Sequence, residues 1–122
     1  MLVIGIDRDS VHAGDDLDSH RTTIGLDPTL TLRALLEAIQ GMGYLPAISG
    51  GEATWIICSS GKHIGVLAQQ WPEPQLTIPA ESILSQYFAD SEPRLLFRYW
   101  CQADPAYVFS QINAGHEPPP RF

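Results

Sequence analysis

The chain has 122 residues, 44% of them hydrophobic and 17% charged, a composition typical of one globular domain. Fourteen Asp and Glu stand against seven Lys and Arg, which gives a formal net charge of −7. Nucleic-acid phosphates and anionic membrane surfaces bind clustered Lys and Arg, so this composition argues against both as partners. An acidic protein instead attracts basic partners.

The composition also predicts the compartment. The first residues contain no positively charged stretch ahead of a long apolar run, so we predict no signal peptide. No stretch approaches the roughly 18 apolar residues of a membrane span. We therefore expect a soluble, cytoplasmic protein. Cys58 and Cys101 lie in apolar runs where cysteine acts as a small hydrophobe, and a disulfide is not expected in that compartment.

The first half of the chain predicts a hairpin and a helix. Apolar, β-branched runs at 2–6 and 22–26 predict two strands joined by a long loop. Leucine and isoleucine then recur at helical spacing from Leu32 to Ile39. This helix is expected to begin after Thr29 or Thr31 and to end at Gly41 or Gly43.

The second half predicts a second hairpin, a helix, a strand and a last helix. The strands cover 53–58 and 63–70, with a turn between them. A helix is expected at 80–88 after Pro79, and a strand at 95–101. Alternation in that strand sets apolar side chains on one face and Arg94, Arg98 and Trp100 on the other. Asp104 and Pro105 are typical of a helix start, and the helix runs to about Asn113.

The element order is therefore ββαββαβα. It favours an α+β fold with a mainly antiparallel sheet of about five strands and helices on one face. We expect a single domain at 1–115, followed by a Pro-rich C-terminal tail at 116–122.

The first loop concentrates the negative charge. Residues 7–27 hold six acids and two bases, a net charge of −4. The centre of this stretch, 9–21, is rich in Gly, Ser and Asp and lacks apolar periodicity, so it is predicted to be a loop. Compact domains seldom carry so long a loop without a use for it. We expect an acidic contact surface at 9–18.

The acidic loop has two alternatives to a contact surface, a metal site and a catalytic site. Asp15, Asp16 and Asp18 could hold Ca²⁺ or Mg²⁺, but the glycine and closing glutamate of a calcium loop are missing. His12 and His20 have no ligand spacing. No nucleophile elbow, phosphate loop or dinucleotide motif occurs. We predict no enzyme, no metal and no cofactor; a metal-binding protein or small hydrolase using the Asp/His loop remains an alternative.

Three stretches carry a family resemblance: 8–16 (RDSVHAGDD), 44–55 (YLPAISGGEATW) and 66–71 (VLAQQW). They resemble stretches in small bacterial proteins of toxin–immunity loci. The whole chain resembles an immunity protein of a contact-dependent growth inhibition or other polymorphic toxin system. The match covers about a third of the chain, and it implies a role without implying particular contact residues.

The resemblance implies a cytoplasmic protein that binds the toxin domain of a related effector and blocks its active site or substrate surface. The partner is expected to be a basic nuclease domain, and a monomer is favoured. Trp71 is expected to close the end of the sheet or to anchor an interface. The residues predicted to bind the partner are Asp9, Asp15, Asp16, Asp18, His20, Glu52 and Trp71. A secretion chaperone that binds an effector segment in an apolar groove is the alternative.

Overall fold

A mixed sheet of six strands forms the centre of the computed structural model, which describes residues 1–12, 14–15 and 18–121. The strands are β1 (Leu2–Arg8), β2 (Thr22–Leu26), β3 (Thr54–Ser59), β4 (Lys62–Ala68), β5 (Gln75–Leu76) and β6 (Arg94–Tyr99). Across the sheet their order is β2-β1-β6-β3-β4-β5. β1 and β6 are parallel, and the other neighbouring pairs are antiparallel.

The α+β class and both predicted hairpins are confirmed. β1 pairs with β2, and β3 pairs with β4. The sheet has one strand more than expected, because Gln75–Leu76 adds a short edge strand to β4. Gly65 of β4 permits this pairing, since a Cβ there would come within 2.6 Å of the Gln75 carbonyl oxygen.

The described residues form three helices: α1 (Leu32–Gly41), α2 (Leu84–Tyr87) and α3 (Pro105–Asn113). Thr31 caps α1, since its hydroxyl oxygen accepts from the Ala34 N–H at 3.2 Å. Asp104 caps α3 in the same way through the Ala106 N–H. Both helices follow their sequence signals. Among the described residues, no helix is long and apolar enough to cross a membrane.

The prediction of a helix over 80–88 is wrong in its length, because α2 has only four residues. The Ser82 N–H and hydroxyl both donate to the Pro79 carbonyl and close a tight turn. The carbonyls of Ala80 and Ser82 accept from the N–H groups of Arg33 and Leu32 at the start of α1. Tertiary hydrogen bonds thus replace the first helical turn.

The expectation that all helices lie on one face of the sheet is also wrong. α1 and α2 pack on one face, with Trp55 and Phe97 in that core. α3 packs on the opposite face, where Val108 and Ile112 contact Ile56 and Val66. β3 is apolar on both faces, so helices must pack against both to remove its side chains from water. α3 covers β3 and β4 and leaves the second face of β2, β1 and β6 uncovered.

The C-terminal residues return to the sheet. The indole N–H of Trp100 donates to the Pro119 carbonyl at 2.7 Å. The Arg121 guanidinium lies 4.6 Å from the centre of the Trp100 ring and 3.6 Å from the Asp9 carboxylate. The described part of the Pro-rich tail therefore packs beside the first loop.

Candidate functional site

Strand direction gathers several connections at one end of the sheet. Arg8 pairs with Phe97, Trp55 pairs with Tyr99, and Thr54 pairs with Ala68. The carboxyl ends of β1, β6 and β4 therefore meet the amino ends of β2 and β3. We call this surface the loop end: the described residues among 9–21, together with 44–53 and 69–71.

The three stretches behind the family resemblance meet at the loop end. The Tyr44 hydroxyl donates to the His20 carbonyl, and the Arg8 guanidinium lies 5.9 Å from the Tyr44 ring centre. Burial raises the pKa of Tyr44 to about 12, so its hydroxyl remains a donor at neutral pH. The first loop and the 44–55 stretch are thereby joined.

The third stretch is joined through two glutamines. The Gln69 side-chain oxygen accepts from the Ile48 N–H at 2.8 Å, and its amide donates back to the Ile48 carbonyl at 3.4 Å. The Gln70 side-chain oxygen accepts from the Ala53 N–H at 3.2 Å. Stretches that are distant in sequence therefore form one continuous surface.

Asp15 organises the first loop. Its carboxylate accepts from both terminal nitrogens of Arg8, at 2.7 and 3.1 Å, and from the Val11 N–H at 2.9 Å. The Arg8 and Asp15 side chains are only 11% and 16% exposed. The hydrogen bond from Arg8, followed by that from Val11, holds the pKa of Asp15 well below its usual range. Asp15 is therefore charged and engaged within its own chain.

Asp9 and His20 are engaged in the same way. Asp9 accepts from the Arg98 Nε and the Tyr99 N–H, both at 3.0 Å, which ties the loop to β6. His20 Nε2 lies 3.1 Å from the Ser10 hydroxyl and 3.5 Å from Asp15. These contacts fix the described residues of the loop to one another and to β6, as in compact loops packed by their own side chains.

The other predicted contact residues differ in exposure. Asp18 and Glu52 are exposed, and Trp71 is half-buried against the core under α3. Trp71 also lines a small cavity of about 180 Å³ beside Leu45. Asp16 lies outside the described residues. The six described residues thus share the loop end, with Asp9, Asp15 and His20 engaged internally.

A second surface lies on the uncovered half of the sheet, and we call it the face cleft. It has a volume of about 790 Å³, and Gly5, Cys58 and Leu96 form its floor. Its sides carry Arg21, Arg94, Arg98, His63, Asp7 and Glu92. Alternation along β6 placed Arg94 and Arg98 on one face, but no sequence signal showed that α3 leaves this half open.

Cys58 and His63 are direct partners across β3 and β4, and both line the face cleft. Burial raises the pKa of the Cys58 thiol to about 11. Nucleophilic catalysis by cysteine requires the thiolate, and at neutral pH this environment favours the thiol.

Cys58 should therefore react slowly with alkylating reagents. In a Cys101→Ser variant, iodoacetamide at pH 8 should modify Cys58 at least about tenfold more slowly than a free cysteine peptide, because little thiolate is present. Mass spectrometry of timed samples measures the rate. A rate equal to that of the peptide would contradict the buried environment, and a rate above that of the peptide would point to an activated thiol.

The described residues include Asp15, Asp18, His12 and His20, the candidates for a metal site in the first loop. Within them, no group of three or more His, Cys, Asp or Glu is arranged to hold a metal ion.

No family model matches the chain, and no curated protein matches it. The role of this protein is therefore inferred from its residues and their arrangement.

Proposed function

We propose that this protein is an immunity protein that binds a cognate toxin domain through the loop end and blocks its active site or substrate surface. The convergence of three distant stretches carries the proposal. Residues 8–16, 44–55 and 66–71 supply the family resemblance, and their described residues meet at one end of the sheet through Arg8 on the Tyr44 ring and through Gln69 and Gln70. A surface assembled from such stretches is what a protein-binding role requires.

Contacts among the described residues of the first loop support binding. The Asp15 carboxylate accepts from Arg8 and from the Val11 N–H, and the Asp9 carboxylate accepts from Arg98. Side chains held in place before association lose less conformational entropy on binding, which raises affinity. In this proposal the contact surface keeps its form through bonds that Asp9, Asp15 and His20 make within their own chain.

Charge supports a basic partner. The net charge of −7 attracts a cationic domain at long range. Asp18 and Glu52 are exposed at the loop end and can meet Lys or Arg of the toxin directly. Trp71 adds an aromatic ring of the kind that anchors interfaces. A nuclease with a basic substrate face is the partner that fits this surface.

Co-expression tests the proposal. The candidate toxin domain, taken from the gene that neighbours this one, is induced in a bacterial host with and without the protein, and survival is counted. The wild-type protein should restore growth. An Asp18→Lys, Glu52→Lys variant should bind the purified, inactivated toxin at least about tenfold more weakly, because like charges then face each other.

Asp90→Lys is the matched control, since Asp90 is exposed and precedes β6 at the opposite end of the sheet. It should protect as the wild type does. Failure of the wild-type protein to protect would refute the immunity role. Equal affinity of all variants for the toxin would refute the loop end as the contact surface. Elution as a dimer that binds an unfolded effector segment would support the chaperone alternative instead.

A further inference from the structure

The face cleft is a large uncovered surface on an otherwise covered sheet. α1 and α2 cover one face, and α3 covers Ile56 and Val66 on the other. Over β2, β1 and β6 the second face stays open, and Val3 there is 55% exposed. The cleft volume of about 790 Å³ lies within the roughly 300–1,000 Å³ typical of ligand sites.

The sign of the charge reverses in this cleft. It is lined by three of the seven Lys and Arg of the chain but by only two of the fourteen Asp and Glu. An acidic protein with a locally cationic cleft is suited to an anionic occupant at that one place.

The arginines of the cleft have unused donors. Arg21, Arg94 and Arg98 each meet their carboxylate through Nε, at 3.5, 3.6 and 3.0 Å. Among the described residues, no hydrogen-bond acceptor meets the terminal nitrogens of these three side chains. Arg8 shows the contrast, since both of its terminal nitrogens bind Asp15. Terminal guanidinium nitrogens form the fork that binds a carboxylate in bidentate geometry.

We infer that the face cleft binds an acidic segment of the partner protein, with Arg21 and Arg94 taking its carboxylates and Leu96 contacting its apolar atoms. The partner is the toxin of the proposed function, so the inference rests on that proposal. The net charge of the whole protein attracts a basic domain, whereas a local contact of opposite sign fixes the register in which it docks.

The cleft is continuous with the loop end. Asp7, Arg21 and Arg98 line the cleft, and Arg21 and Arg98 lie beside the first loop, where Arg98 binds Asp9. A partner seated on the loop end can therefore extend a segment along β1 and β6. The two surfaces then act as one interface that turns from the end of the sheet onto its open face.

Calorimetric titration with the purified, inactivated toxin tests the cleft. An Arg21→Gln, Arg94→Gln double variant should bind about 100-fold more weakly than the wild type, at about tenfold for each lost charged hydrogen bond. Both side chains are well exposed, so we expect the double substitution to leave the stability of the fold unchanged. Arg33→Gln is the control, because Arg33 is a half-exposed arginine on α1, outside both surfaces, and it also meets a carboxylate, Glu81, through Nε.

A second measurement does not depend on the toxin. Nuclear magnetic resonance spectra of isotope-labelled protein are recorded while a capped peptide, Glu-Glu-Leu-Glu-Glu, is added. The peptide Lys-Lys-Leu-Lys-Lys is the control. Saturable shifts should appear at the Gly5, Thr23 and Leu96 amides with the acidic peptide alone, and the double variant should abolish them.

The outcomes separate the two proposals. If the wild type binds the toxin and the double variant binds equally well, the cleft inference is overturned and the immunity role stands. If the wild type does not bind the toxin, the immunity role falls, and the peptide titration decides the cleft. Absence of saturable shifts at the cleft, or equal shifts with the lysine peptide, overturns the inference in that case.

Discussion

An Asp15→Ala variant should lose about 2 kcal/mol of unfolding free energy, because it removes the carboxylate that accepts from the partly buried Arg8 guanidinium. Asp15 accepts from both terminal nitrogens of Arg8, and the Arg8 Nε is already buried without a partner among the described residues. Chemical denaturation measures the loss. Asp90→Ala is the control, since Asp90 is exposed and should change stability by less than about 0.5 kcal/mol.

The stabilisation from Asp15 should also depend on pH. A carboxyl whose pKa is lowered by folding contributes stability above its unfolded pKa of about 4 and loses it as the pH falls toward the folded value. The difference in unfolding free energy between the wild type and Asp15→Asn should therefore be largest near neutral pH and shrink below about pH 4. A difference that is constant with pH would show that Asp15 does not act through its charge.

Phe97→Ala should destabilise the protein by about 3–5 kcal/mol, the range for removing a buried phenylalanine side chain. Phe97 is fully buried in β6, between β1 and β3, and its ring meets Tyr44 edge-on at 6.3 Å between centres. The cavity would lie directly under the loop end. Hydrogen exchange should therefore accelerate at residues 20 and 44 as well as in the sheet.

Val3→Ala is the control for Phe97, because Val3 is in the neighbouring strand but exposed. It should cost less than about 1 kcal/mol. A loss below about 1 kcal/mol for Phe97→Ala would contradict the position of Phe97 in the core. Loss of stability without faster exchange at residues 20 and 44 would contradict its support of the loop.

Local signals predicted the elements they control. The cap at Thr31 and the spacing of four apolar residues defined α1, and Asp104 with Pro105 defined α3. The 80–88 helix failed because the carbonyls of Ala80 and Ser82 bind the start of α1. β5 has two residues and depends on Gly65, so it carries little periodic signal of its own. Long-range contacts therefore account for the differences.

The candidate site was predictable in part. The charge of the first loop predicts contact residues that include Asp9, Asp15 and His20. Their hydrogen-bond partners within the chain lie on β1, on β6 and in the loop itself. Sequence could not place Arg98 beside Asp9, because β1 and β6 are distant in the chain. The face cleft was missed for a similar reason: it exists because α3 covers only half of its face.

The parallel pairing of β1 with β6 has a consequence for synthesis and folding. Arg8 pairs with Phe97, about 90 residues later in the chain, and contacts of such separation form slowly. β6 must leave the ribosome before Asp9 can bind Arg98 and the Tyr99 N–H. A nascent chain that ends before β6 therefore cannot form the contacts that complete the loop end.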